Sequence, residues 1–129
     1  MSLTYKHIRK KLTDASTVRG SVYSFEAPVK QKPPYVSFYL SDLEPIFTMD
    51  KATPLNIETW TIVSNDKNVE DAITNANAIR TIFDHYAGTE ESVVIKQSML
   101  TGRSIPLVEE DEQGDKVYQV VDTYEMRVT

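Results

Sequence analysis

Apolar positions along the chain change period several times, and each change predicts an element. Tyr5, Ile8 and Leu12 recur at spacings of three and four, and Ala15 extends the stripe, so residues 3–14 read as a short amphipathic helix. Lys6, Arg9, Lys10 and Lys11 fall mostly off that stripe. Residues 21–25 form a short strand after Gly20. Residues 28–34 hold three prolines, which lack amide donors and disfavour helix before them, so a loop is expected there. A period of two follows over Tyr35–Ser41, with Val36, Phe38 and Leu40 on one face and Tyr35, Ser37 and Tyr39 on the other. Residues 42–54 are expected as a long connection carrying Ile46, Phe47 and Met49.

The next strand is expected over Leu55–Val63. Leu55, Ile57, Thr59, Thr61 and Val63 share one face; Asn56, Glu58, Trp60 and Ile62 share the other. The clearest helical stripe then runs through Val69, Ala72, Ile73, Ala76, Ile79, Phe83 and Tyr86. Asn68 is its N-cap, Glu70 and Asp71 suit its positive start, and Gly88 its stop. Residues 92–100 and 104–109 read as strands, the second confined to an edge or bulge by Pro106. Thr101–Ser104 reads as a hairpin turn between them. An acidic turn spans 109–115, and a last strand, Lys116–Val128, places Tyr118, Val120, Tyr124, Met126 and Val128 on one face around Asp122. The expected fold is one α+β domain over residues 1–129: a mainly antiparallel twisted sheet of about four to six strands, with two helices packed on one face.

Composition narrows the chemistry. The chain has 129 residues and no cysteine, so disulfides and thiolate metal sites are excluded. His7 and His85 have no second ligand at metal spacing, and no nucleophile elbow occurs. Glu109, Glu110, Asp111, Glu112 and Asp115 do not follow a calcium-loop spacing. No catalytic residue, metal site or cofactor is therefore assigned. The start of the chain is polar, with no apolar stretch after its charges, which is unlike a secretory signal and implies synthesis in the cytoplasm, with no membrane partner. The net charge of −5 is unevenly spread. Residues 1–32 carry seven basic against two acidic side chains, and the remainder seven basic against seventeen acidic. That asymmetry argues against a general nucleic-acid binder and permits head-to-tail association of copies.

Several apolar groups lack an obvious place in one core. Tyr35, Tyr39, Trp60 and Ile62 oppose the faces just described, and Ile46, Phe47 and Met49 sit in the long connection. Either they cover the second face of the sheet within one subunit, or they form a subunit or partner interface. Lys6, Arg9, Lys10 and Lys11 make a basic face that is either solvated or a contact surface.

The order of pieces resembles the phage tail-terminator, or tail-completion, proteins that join tail to head. The resemblance lies in the N-terminal helix, the pair Val22-Tyr23, and the Pro-rich loop leading to Pro34-Tyr35-Val36-Ser37-Phe38. It continues in the strand Ile57–Ile62, the helix with Ala72, Ala76, Ile79 and Phe83, and the closing strand with Tyr118. The acidic segment 109–115 departs from the pattern. The resemblance implies a non-enzymatic ring, usually of six subunits, at the tail–head junction of a virion made in a bacterial host. The implied partners are further copies of the chain, the tail tube protein and a neck or head-completion protein, with DNA passing through the channel. Glu109, Glu110, Asp111 and Glu112 are then a channel rim, repelling phosphates, or a docking element. A head-closure protein, or a small dimeric ligand-binding or regulatory α+β domain, is the alternative.

Overall fold

Strand periodicity sets the core of the computed structural model, which describes residues 3–25, 27, 31–46, 55–110 and 113–129. Strand β3 (Leu55–Asp66) buries Glu58, Trp60, Ile62 and Ser64 on one face, and β7 (Lys116–Val128) buries Val120, Asp122, Tyr124 and Met126. Antiparallel register sets Trp60 opposite Tyr124 and Ile62 opposite Asp122. On the other side of β3, strand β2 (Tyr35–Ile46) sets Phe38 opposite Ile62 and Leu40 opposite Trp60. Side chains paired this way share a face, so the three strands present one continuous buried surface, apolar at Phe38, Trp60, Ile62, Tyr124 and Met126 and polar at Glu58, Ser64 and Asp122.

Helix α1 (Thr4–Asp14) adds Ile8 and Leu12 to that surface, and α2 (Val69–Phe83) adds Ile79 and Phe83. The N-terminus of α2 is capped as its sequence suggests: the Asp71 amide donates to Asn68 Oδ1 at 2.8 Å. Neither helix is long and apolar enough to cross a membrane.

Three further strands complete the sheet with β1 (Ser21–Ser24): β4 (Tyr86–Glu90), β5 (Val93–Arg103) and β6 (Leu107–Glu110). The order is β1-β2-β3-β7-β5-β4, with β6 also on β7. The sheet is thus seven-stranded and mixed, since β1 and β2 run parallel. Helix α1 packs against both β1 and β4, the two ends of that path, so the sheet curls around it and the helix shields both ends.

Four local expectations fail for identifiable reasons. The second helix stops at Phe83, before Tyr86 and Gly88. Asp84 turns extended, its carboxylate accepts the Leu100 amide at 3.0 Å, and His85 takes a positive φ that starts β4. Val69 and Ile73 face solvent, leaving Ala72, Ala76, Ile79 and Phe83 as the packed stripe. Residues 42–46 prolong β2 past a register shift between Leu40 and Asp42, where a connection was expected. Thr101–Arg103 end β5 instead of forming a hairpin, because β5 and β6 pair in succession with the same partner, β7. Ser104 continues that ladder, its amide donating to Val121 O at 2.9 Å, and β6 resumes after Pro106.

Gly20 fixes the entry to β1. Its φ is +81°, and a Cβ there would collide with the Pro34 carbonyl group, so only glycine lets the two segments close up.

Candidate functional site

The structure separates the expected interface residues into three groups. Trp60 and Ile62 are each 1% exposed within a single chain, so they are core residues and the interface expectation is withdrawn for both. They share one buried cluster with Ile8 and Leu12 of α1 and with Ile79 and Phe83 of α2, and the Trp60 indole N–H donates to the Glu58 carboxylate at 2.8 Å. Tyr35 and Tyr39 lie on the opposite face of β2, with Tyr39 exposed and Tyr35 half-buried beside Tyr23 at 6.2 Å between ring centres. Burial, and secondarily the Glu109 carboxylate, raises the Tyr35 hydroxyl above its usual pKa. Ile46 ends β2, its side chain outside the described residues, as are Phe47 and Met49.

The acidic segment is part strand. Glu109 and Glu110 belong to β6, exposed and paired with Val117 and Lys116; Asp111 and Glu112 lie outside the described residues. Beyond them Asp115 and Gln113 hold the Lys32 ammonium at 3.7 and 2.7 Å. That contact ties the loop before β2 to the turn before β7. On α1, Lys6, Arg9 and Lys10 are exposed, with Lys10 paired to Asp14 at 3.1 Å. Lys11 leaves this group: it is partly buried, its Nζ 5.2 Å from the centre of the Tyr86 ring.

His7 is fully buried, with Nδ1 2.9 Å from the Val93 carbonyl and Nε2 2.8 Å from the Tyr86 hydroxyl. A neutral ring satisfies both, donating from Nδ1 and accepting at Nε2, and burial lowers its pKa below the ordinary value. This is an internal tie between α1, β4 and β5. His85 sits in the α2–β4 turn, exposed, not in a helix. Among the described residues no group of three or more His, Asp or Glu side chains converges to hold a metal ion. A cleft of about 460 Å³ is lined by Lys32, Pro33, Lys67, Asp115, Lys116 and Tyr118. It brings together three lysines, a phenol and the Asp115 carboxylate, which is paired with Lys32.

Sequence reasoning missed one feature. Ile105, Leu107 and Val108 are 80, 44 and 53% exposed, all on or beside β6. The segment was read as a strand, but its solvent exposure follows from pairing that periodicity does not reveal.

The fold has a structural neighbour in a virion. A chain of the solved structure described as "Virion of native gene transfer agent (GTA) particle" superposes with a TM-score of 0.69. The match covers 98% of this chain and 94% of that one, at 14% sequence identity. It shows a shared fold over nearly the full length of both. No protein-family model matches the sequence, and no curated protein matches it. The exposed apolar edge, the acidic β6 and the basic α1 therefore sit on a scaffold shared with a chain of an assembled particle.

Proposed function

We propose that the chain is a non-enzymatic structural protein of phage or prophage tail assembly, which closes into a ring, terminates the tail tube and joins it to the head. The observation that carries this reading is the fold shared end to end with a chain of a gene transfer agent virion. The sequence layout supports it independently, and so do the exposed apolar and charged groups of β6 and α1. In this reading the partners are further copies of the chain, the tail tube protein on one side and a neck protein on the other, within the virion. DNA passes without being held. The acidic segment from Glu109 serves as a rim or a docking element.

The test is co-purification of tagged protein with tail tubes and with filled heads from a lysate of the producing bacterium, followed by electron microscopy. A ring capping isolated tail tubes is the expected result. Recovery with heads alone replaces the terminator role by head closure. A dimer bound to a metabolite and to neither particle overturns the assembly reading.

A further inference from the structure

Edge strands present backbone groups with no partner, and proteins shield them with helices, charges or proline. Helix α1 shields β1 and β4. Strand β6 is different. It pairs with β7 on one side, and among the described residues no strand pairs its other side. Pro106 interrupts the chain only before β6 begins, so it leaves the strand itself open. Ile105, Leu107 and Val108 expose apolar surface on this edge, and Glu109 and Glu110 follow immediately with exposed carboxylates. The patch is therefore apolar with an acidic flank.

The α1 end carries the opposite combination. The exposed Phe25 ring lies 5.9 Å from that of Tyr5. Tyr5 lines a shallow groove of about 380 Å³ with Lys6, Arg9 and Lys10, and also with Asp14 and Glu91. Lys10 is engaged with Asp14, so Lys6 and Arg9 carry the positive character.

We infer that the β6 edge of one copy docks on the α1 end of a second copy: Ile105, Leu107 and Val108 against Phe25 and Tyr5, Glu109 and Glu110 against Lys6 and Arg9. A symmetric pairing of two β6 edges brings four carboxylates together in a chain already at −5, which disfavours it. Contact between unlike patches is head-to-tail, and a head-to-tail contact closes into a ring when its rotation allows. The inference rests on the ring reading above and supplies its surfaces.

The experiment is a charge exchange read by sedimentation velocity at low and high salt. One variant carries E109K/E110K, the other K6E/R9E; circular dichroism confirms that both are folded. Wild-type protein is expected to self-associate more tightly at low salt, and each variant alone about tenfold more weakly or worse. Mixed in equal amounts, the two variants are expected to reassemble, because every edge then faces an end of opposite sign. A third variant, L107S/V108S, is expected to weaken association while preserving its salt dependence. Association unaffected by either exchange, or a mixture that does not reassemble, overturns the inference. So does wild-type protein that stays monomeric at about 1 mM, where even weak contacts populate. Capping of tail tubes by the exchanged variants, scored separately, leaves the tail-terminator reading standing while this surface falls.

Discussion

Replacing Trp60 by alanine distinguishes a core residue from an interface residue. Trp60 is 1% exposed, packs its ring 5.9 Å from that of Phe38, and donates its indole N–H to Glu58. Truncating a buried tryptophan costs about 3–5 kcal/mol, and loss of a hydrogen bond to a buried carboxylate adds about 1–2. The sum, roughly 4–7 kcal/mol, is a large share of the roughly 6–19 kcal/mol expected for a domain of this length. With an unfolding entropy of about 0.27 kcal/mol/K for this length, the melting temperature falls by about 15–26 °C. Trp60→Phe retains most of the apolar volume and loses the N–H, so about 2 kcal/mol is expected. Far-UV circular dichroism on heating is the assay, since Trp60 is the chain's one tryptophan and indole emission disappears with it. Samples dilute enough to be monomeric remove any contribution from association. A Trp60→Ala monomer that melts within about 3 °C of wild type, yet no longer self-associates, refutes the core assignment and returns the indole to an interface.

Three further outcomes follow from the packing. Burial holds His7 below its ordinary pKa of 6.5, so the folded state favours the neutral ring while the unfolded chain protonates at that value. Stability is therefore undiminished above pH 6.5 and declines as pH falls below it, levelling off once the lowered folded-state value is passed; urea midpoints should show this, and an equal slope in His7→Gln refutes it. Arg103 grips both Asp122 oxygens, at 2.7 and 2.9 Å, so Arg103→Ala strands a buried carboxylate at a cost of about 3–5 kcal/mol. Adding Asp122→Asn should restore part of that loss in urea titrations, and a double variant no more stable than the single one contradicts the ion-pair account. Gly20→Ala combines a positive φ with collision against Pro34, for a loss of at least about 2 kcal/mol; a melting temperature equal to wild type shows that the two segments are not held that closely.

Much of the element order was legible because it depends on local pattern. The period-two run of β7 and the start and cap of α2 came from side-chain spacing and from Asn68 alone, and both match the structure. Local pattern does not say which face of a strand meets the helices. In β3 both faces carry apolar groups, Ile57 and Val63 on one and Trp60 and Ile62 on the other, so the sequence left the core side open. Register against Phe38 and Tyr124 decided it, and moved Trp60 and Ile62 from expected interface to core. The end of α2 was decided in the same way, by an Asp84 carboxylate held by the Leu100 amide sixteen residues away. Charge asymmetry was visible in the sequence, but its pairing with exposed apolar groups was not. A strand becomes an open edge only through what it fails to pair with, and β6 acquires that status from β7 on one side and from the reach of β4 along β5 on the other. Spacing along one segment encodes neither relation, because both are set by register between strands and not by the pattern within one.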